Sequence, residues 1–166
     1  VNKPGAGKIL RWGAGHNMEE AIREHVENVF PKVKSNVRLF NKDLDLTGEY
    51  DNLSGKTLIE IKTVHDYAFK EDKDGLVGLK EQIGQWPNGN KKWGMKSNAY
   101  LHHIMQNHGY AMMLKDEVKV EKIVFIYISL SGRMVIYVED IDQVHFDEIN
   151  RRLEILNEAW ATKTPP

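Results

Sequence analysis

The segment from Gly48 to Lys62 limits the possible folds of this chain more than any other part of the sequence. It predicts two neighbouring strands joined by a hairpin turn at residues 52–55, the first ending at Asp51 and the second containing Glu60 and Lys62. Because side chains alternate between the two faces of a strand, the last two residues share one face. Charges near the middle of a small sheet are costly unless they are paired or bound to a metal. The segment therefore predicts a functional site on a sheet.

The two acids and the lysine of this segment suit one kind of chemistry. Ile59 and Ile61 lie on the opposite face of the second strand. The carboxylates of Asp51 and Glu60 can hold a hard divalent cation, and the Lys62 ammonium can help to orient a water molecule against a phosphodiester. The competing interpretations are structural. Asp51 would cap the hairpin turn, and the other two charges would lie on a solvated strand face.

The composition excludes several classes of protein. The chain has 166 residues, enough for one domain with its own core, and 28% of them are charged. It has no cysteine, which excludes a disulfide scaffold, a thiolate zinc site and an iron–sulfur cluster. The sequence has neither an apolar run near the ~20 residues that span a bilayer nor a signal-peptide pattern, so we expect a cytoplasmic protein without membrane contact. A net charge of −1 argues against a general nucleic-acid coat protein but is compatible with a local basic groove.

Hydrophobic periodicity predicts the order α-β-β-β-α-β-β-α, which is an α/β architecture with a mixed sheet flanked by helices. The predicted helices cover residues 17–30, 97–114 and 145–160, and the predicted strands cover residues 36–40, 45–51, 57–64, 122–130 and 133–138. Residues 1–15 are predicted to be irregular. Residues 65–96 are predicted to form a long loop over the active face of a single domain that covers residues 1–166.

The last predicted helix has a series of apolar residues at helical spacing. They are Phe146, Ile149, Leu153, Leu156 and Trp160. A stripe of this kind is most simply explained by packing against the core.

Four short motifs follow one another along the chain, each on the expected element. They are Gly15-His16-Asn17-Met18-Glu19, Gly48-Glu49-Tyr50-Asp51, Glu60-Ile61-Lys62 and Gln106-Asn107-His108-Gly109-Tyr110. On these motifs the chain resembles the PD-(D/E)xK nuclease superfamily over residues 13–138. Within the superfamily it resembles the RecB-type exonucleases of CRISPR adaptation, mitochondrial maintenance and phages. Glu19 stands where many RecB-type members have His, and in this the chain is more similar to resolvases and some restriction enzymes.

The resemblance implies a restriction-endonuclease-like fold and a metal-dependent nuclease. Asp51 and Glu60 would bind Mg²⁺ or Mn²⁺, with the backbone carbonyl of Ile61 completing one side of the metal. Lys62 would orient the attacking water or stabilise charge on the phosphoryl oxygens. Glu19 would approach the same metal from the first helix.

Some of these implied roles compete with a plain structural one. Glu19 could be an exposed acid that the helix dipole favours near the helix N-terminus, and Glu20 is the neighbouring candidate if the helix is rotated. Gln106 and Tyr110 lie one turn apart on one helical face, where the resemblance implies that they position the substrate strand. The alternative for this pair is the border of an ordinary amphipathic helix.

The densest basic and aromatic stretch of the chain lies in the predicted loop. It contains Lys91, Lys92, Trp93 and Lys96. Such residues can contact the DNA backbone and stack against bases. A solvated charged loop is the alternative.

The resemblance implies a RecB-like deoxyribonuclease that acts on DNA ends or single strands in phage or bacterial DNA processing. Two alternatives stay open: a structure- or sequence-specific endonuclease of the same superfamily, and a catalytically idle module that binds DNA or a protein. The costly grouping of Asp51, Glu60 and Lys62 argues against the idle module. No helicase motor is recognisable, so unwinding would need a helicase or recombination partner, and both a monomer and a homo-oligomer remain open.

Overall fold

In the computed structural model, residues 6–30, 32–71, 73–80 and 99–164 are described, with side chains from residue 13 onward. They form a five-stranded mixed sheet flanked by helices and a separate two-stranded sheet. The elements in chain order are α1 (Ala6–Val29), β1 (Lys34–Asn41), β2 (Leu46–Ser54), β3 (Thr57–Thr63), a 3₁₀ helix (Asp66–Ala68), β4 (Phe69–Glu71), β5 (Val77–Leu79), α2 (Leu101–Leu114), β6 (Lys122–Ile128), β7 (Met134–Asp140) and α3 (Gln143–Thr162). None of the helices in these described ranges is long and apolar enough to cross a membrane.

The five-stranded sheet has the order β1-β2-β3-β6-β7. Strands β3 and β6 are parallel, and the other neighbouring pairs are antiparallel. A parallel pair needs a crossover connection, which here contains α2. The predicted order of helices and strands is therefore confirmed for this sheet, and β4, β5 and the 3₁₀ helix are additions to it.

Strand β3 lies in the middle of the sheet and is buried on both faces. Leu58 packs into the larger core cluster together with residues of α2, whereas Ile59 and Ile61 pack with Val26 of α1 on the other face. The predicted alternation along this strand is therefore confirmed. Glu60 lies within this run of buried apolar residues and is itself buried.

The hairpin between β2 and β3 is tighter than predicted. Its turn is the pair Gly55-Lys56 rather than residues 52–55, and Gly55 has a φ of 57°. Asn52 is instead fully buried inside β2, where its side chain accepts a hydrogen bond from Ser35. Both Asn and Gly are common in turns, so the local sequence does not distinguish the two sites.

Helix α1 begins earlier than predicted. The prediction of an irregular segment over residues 1–15 is wrong from Ala6 onward. Gly13 and Gly15 each disfavour a helix by about 1 kcal/mol relative to Ala, but the Ala, Lys, Leu and Arg residues around them are good helix formers. The two glycines therefore hid a helix that their neighbours support.

The predicted long loop over residues 65–96 is partly regular. It contains the 3₁₀ helix and the pair β4–β5, through which Phe69 and Leu79 enter the larger core cluster. The loop prediction is wrong for these elements, because isolated apolar residues in a polar segment leave no periodic pattern to detect. Residues 81–96 lie outside the described part of the chain.

The prediction that the apolar stripe of α3 packs against the core holds only for its beginning. Phe146 packs against the larger core cluster and Leu153 is half-buried, but Leu156 and Trp160 are 54% and 88% exposed. Helical spacing shows that residues share a face but not that a neighbour covers the whole face. The packing prediction is therefore wrong for the end of this helix.

Candidate active site

Strands β2 and β3 separate close to Asp51. Their pairing ends at Asn52 and Ile59, and beyond it the Asp51 carboxylate accepts a hydrogen bond from the Ile61 N–H at 2.8 Å. The prediction that the first strand of the hairpin ends at Asp51 is therefore wrong, because Asp51 lies inside β2. The bond to the backbone of β3 fixes the carboxylate at the point where the two strands separate.

Asp51, Glu60 and Lys62 form one cluster, which we call the acid–lysine cluster. The Lys62 Nζ lies 2.5 Å from Glu60 Oε1 and 4.0 Å from Asp51 Oδ2. The Glu60 side chain is only 2% exposed, whereas those of Asp51 and Lys62 are 23% and 27% exposed. The cluster therefore has one fully buried acid below two groups that solvent or a substrate can reach.

Burial of Glu60 raises the pKa of its carboxyl to about 7, and the negative charge of Asp51 adds to this effect. Lys62 and a hydrogen bond from the Asn107 side chain oppose the rise of the pKa without cancelling it. Desolvation outweighs the attraction of the single ammonium here, because removal from water destabilises the carboxylate by more than one cationic partner stabilises it. Additional positive charge at this point would favour the ionised form.

The two other members of the acid–lysine cluster respond to burial in different ways. Burial raises the pKa of Asp51, while Lys62 and the Ile61 N–H oppose the rise. Burial also lowers the pKa of Lys62, but the charges of Glu60 and Asp51 outweigh it, and the net pKa of the lysine is raised. Lys62 is therefore a protonated donor at neutral pH.

Helix α1 supplies the predicted glutamate to this site. Glu19 Oε1 accepts a hydrogen bond from the Thr63 N–H at 2.9 Å, and the Thr63 hydroxyl donates to the Gly15 carbonyl at 3.1 Å. The charge of Glu19 contributes to the raised pKa of Asp51, so the two carboxylates are close. Glu19 is half-buried, whereas Glu20 is exposed, which argues against the alternative of an exposed helix acid.

Arg23 belongs to the same site, although the sequence reasoning missed it. It follows Glu19 by one helical turn, and its charge lowers the pKa of Asp51. Its Nε is buried, and no hydrogen-bond partner for it is present among the described residues. The spacing of four residues from Glu19 was the available signal, because such residues share one face of a helix.

The predicted pair on α2 borders the cluster. Gln106 Nε2 donates to the Tyr110 hydroxyl at 2.6 Å, and burial together with the charge of Glu60 raises the pKa of Tyr110. The ring of Tyr110 lies directly over Gly48, where an added Cβ would be 2.5 Å from a ring carbon. A glycine is therefore needed at this position of β2 for the tyrosine to reach the site.

Two further residues of α2 were missed as parts of the site. Asn107 is fully buried, forms a hydrogen bond with Glu60 through its side chain, and donates to the His103 carbonyl at 3.1 Å. His103 Nδ1 lies 2.9 Å from the Tyr127 hydroxyl, and burial lowers the pKa of this histidine to about 3, with Lys62 contributing. The helical spacing of α2 was the available signal for these two residues, because residues 103, 106, 107 and 110 share one face of the helix.

The donor set of the cluster fits a hard divalent cation. Mg²⁺ in proteins commonly takes one or two carboxylates and completes its shell with water and phosphate oxygens. Asp51 and Glu60 supply the carboxylates, and the carbonyl of Ile61 lies between Glu60 and Lys62 in β3. Within the described ranges, no group of three His, Cys, Asp or Glu side chains is placed to hold a metal ion. The predicted role of Glu19 as a further ligand stays a prediction.

The sequence predicts a DNA-contacting stretch in the loop before α2. Lys91, Lys92, Trp93 and Lys96 lie outside the described residues. The prediction for them stays a prediction.

Comparisons with known proteins give no family for this chain. No family model and no curated protein matches it. Among solved structures, it is similar to one described as "Crystal structure of SSO0001", with 18% identity and a TM-score of 0.44. The match covers 90% of this chain, and the chain spans 58% of the length of that structure.

Proposed function

We propose that this chain is a metal-dependent deoxyribonuclease with a PD-(D/E)xK fold that hydrolyses phosphodiester bonds. The observation that carries the proposal is the acid–lysine cluster at the point where β2 and β3 separate. Two carboxylates and one ammonium leave the cluster short of positive charge. Perturbed pKa values such as those of Asp51 and Glu60 are typical of buried functional sites.

Asp51 and Glu60 would hold Mg²⁺ or Mn²⁺ together with the Ile61 carbonyl. When bound, the metal would lower the pKa of a coordinated water and neutralise charge on the phosphate. Lys62, which is protonated at neutral pH, would donate to a phosphoryl oxygen as charge develops in the transition state. Hydrolysis then forms a bond from the water oxygen to phosphorus and breaks the bond from phosphorus to the leaving sugar oxygen.

The surrounding residues would orient these groups. The Ile61 N–H fixes the Asp51 carboxylate, and Asn107 fixes the Glu60 carboxylate. Gln106 and Tyr110 border the cluster from α2 and would position the substrate strand. On this basis we propose a RecB-like exonuclease for DNA ends or single strands in phage or bacterial DNA processing.

A second candidate function is a structure- or sequence-specific endonuclease of the same superfamily. One observation favours it: α1 presents a glutamate, Glu19, to the end of β3 beside Asp51. The resolvase-like and restriction-like members that this chain resembles carry the helix acid in this way, whereas many RecB-type members have histidine.

The test uses two substrates, a covalently closed single-stranded circle and an end-labelled linear strand, with Mg²⁺, with Mn²⁺ and with a chelator. Lys62→Ala is the active-site variant, and Lys122→Ala is its control, because Lys122 forms an exposed ion pair with Asp140. Metal-dependent loss of the linear strand alone would establish the exonuclease, and cutting of the circle would establish the endonuclease. Cleavage that survives in Lys62→Ala, or no cleavage of either substrate or of duplex DNA, would contradict the proposal and favour the idle module.

A further inference from the structure

The two edges of the five-stranded sheet differ in how they meet solvent. On edge strand β7, Met134, Ile136 and Val138 are 48%, 51% and 58% exposed and lie on one face. The edge strand β1 exposes one large apolar residue, Phe40, together with Lys34 and Arg38, and it has an irregular backbone at Asn36, where φ is 52°. Charges and irregularities protect a sheet edge against pairing with other chains, and an apolar edge strand is open to it.

The backbone N–H and C=O groups of β7 alternate between bonding to β6 and pointing to the open edge of the sheet. Ser129 N–H donates to the Arg133 carbonyl, and Ile141 N–H donates to the Glu121 carbonyl, so the odd-numbered residues of β7 direct their backbone groups towards β6. The even-numbered residues between them direct theirs to the open edge. No other strand of the described residues pairs with this edge.

This alternation restricts how a second copy of β7 could pair. In an antiparallel pair, residues with outward backbone groups must face one another, so even-numbered residues face even-numbered ones. Placing Ile136 opposite Ile136 of a second copy brings Met134 opposite Val138 and Arg133 opposite Glu139. A shift by two residues in either direction would place Glu139 opposite Val135 or Ser131 instead, and would lose the charge pair.

Glu139 provides an independent reason for this register. Burial raises its pKa to about 7, and the neighbouring Asp140 adds to the effect. Among the described residues, no cation forms an ion pair with it. A guanidinium opposite Glu139 would supply the missing countercharge.

We propose that β7 is a homodimer interface, in which a second copy of this chain pairs antiparallel with β7 about a two-fold axis between the two Ile136 residues. The interface is isologous, since the same strand contributes from both copies. It joins the two sheets into one and covers an apolar edge that otherwise invites aggregation. The dimer stands independently of the proposed nuclease activity.

The dimer would have a geometric consequence for the candidate site. Ile61 of β3 pairs with Ile126 of β6, which pairs with Ile136, so the acid–lysine cluster is level with the two-fold axis. Five strand spacings of about 4.8 Å would separate the two copies of β3, about 24 Å in all, with both clusters on the same face of the sheet. Two sites arranged in this way suit the two strands of a duplex.

The test is the solution mass of the full chain by sedimentation equilibrium over a range of concentrations. Wild type should reach twice the 19.1 kDa chain mass. Ile136→Glu should weaken dimerisation by at least ~10-fold, because it places two carboxylates face to face at the axis. Phe40→Glu is the matched control, since Phe40 is 65% exposed on the opposite edge strand, and it should dimerise like wild type.

A charge exchange tests the register itself. Arg133→Glu and Glu139→Arg should each weaken the dimer, and the double variant should restore it, because the opposite charges then face each other again. A wild type that stays monomeric up to roughly 100 µM would overturn the proposal. A dimer that is unaffected by Ile136→Glu, or that is not restored in the double variant, would overturn this interface. Slow hydrogen exchange at the β7 edge of a monomer would also overturn it, because another segment of the chain would then cover the edge.

Discussion

Two glutamates among the residues that the structure describes are almost completely buried, and they have opposite electrostatic properties. Glu148 of α3 receives hydrogen bonds from Arg151 and Arg152 at 2.7–2.8 Å, and the bond from Arg151 is the largest cause of a pKa lowered to about 2. Glu60 shares one ammonium with a second acid, and burial raises its pKa to about 7. One acid is held firmly ionised, and the other is held near the point of protonation.

The two sites differ in the balance of charge and in the effect of desolvation, which is the largest cause of the raised pKa of Glu60 but is outweighed at Glu148. The arginine–glutamate cluster of Glu148, Arg151 and Arg152 has two cations for one anion, and its geometry satisfies the carboxylate fully. The acid–lysine cluster has two anions for one cation. The first is a complete structural network, whereas the second has room for a further positive charge, which is what a metal or a reacting centre requires.

The strongest test of this contrast is to remove one cation from each cluster. Lys62→Ala should reduce the cleavage rate by about 1000-fold, since a donor to a developing oxyanion contributes on that scale. Arg151→Ala should lower stability but leave the cleavage rate within about two-fold of wild type, because Arg151 binds Glu148 of α3. Initial rates at saturating metal measure cleavage by the two variants, and urea unfolding measures their stability. Equal losses of activity in the two variants would remove the distinction between the clusters.

Stability in chelator should depend on pH with opposite sign at the two clusters. Because the pKa of Glu60 rises from its usual 4.5 to about 7 on folding, its contribution to stability is present below pH 4.5 and is lost as the pH rises to about 7. The pKa of Glu148 falls from 4.5 to about 2, so its contribution is present above pH 4.5 and is lost as the pH falls towards 2.

Urea unfolding across the acidic and neutral range measures these contributions. Glu60→Gln should remove the neutral-range loss, on the order of 3 kcal/mol at most. Glu148→Gln should remove the acid-range loss. A Glu60→Gln variant with the same pH profile as wild type would show that Glu60 does not retain a proton in the folded protein.

A glycine substitution tests how closely α2 must approach the acid–lysine cluster. Gly48→Ala should destabilise the fold by about 1–3 kcal/mol and displace Tyr110, because the new Cβ would be 2.5 Å from its ring. Gly109→Ala on α2 is the control, since nothing lies within 4 Å of its Cβ position, and it should stabilise the helix by up to about 1 kcal/mol. Thermal unfolding compares the two, and a neutral Gly48→Ala would mean that Tyr110 does not need this position.

The smallest effect is expected at the border of the site. Tyr110→Phe removes the hydroxyl that accepts from Gln106 but keeps the ring over Gly48, so cleavage should fall by about ten-fold with little change in stability. Steady-state rates on the preferred DNA substrate check this. A loss as severe as that of Lys62→Ala would place Tyr110 among the groups that act on the phosphate directly.

The sequence predicted the centre of the molecule better than its surroundings. The alternation of β3 was sufficient to separate Glu60 and Lys62 from Ile59 and Ile61, because the period of a strand fixes which face a residue takes. The turn after β2 was misplaced, because Asn52 has the chemistry of a turn residue and is instead held by Ser35.

Contacts between elements were the main part that could not be predicted. Helical spacing identifies a face but not its partner, so the Asn107 bond to Glu60 and the exposure of Trp160 both required the packed structure. The depth of Glu60 was also unpredictable, because an isolated acid in an apolar strand can be buried or can lie at an edge. Periodicity therefore gave the faces of β3, and the resemblance gave Glu19, Gln106 and Tyr110. Tertiary packing was needed to add Arg23, Asn107 and His103 to the site.

The most direct test of the central claim is a titration with Mn²⁺ followed by electron paramagnetic resonance, in which binding reduces the signal of the free ion. We predict that wild type and Glu148→Gln bind the ion alike and that Asp51→Asn binds it at least ~10-fold more weakly, because the acid–lysine cluster is short of positive charge and the arginine–glutamate cluster is not. Binding by Asp51→Asn that equals wild type, with a loss in Glu148→Gln, would contradict the assignment of the metal site.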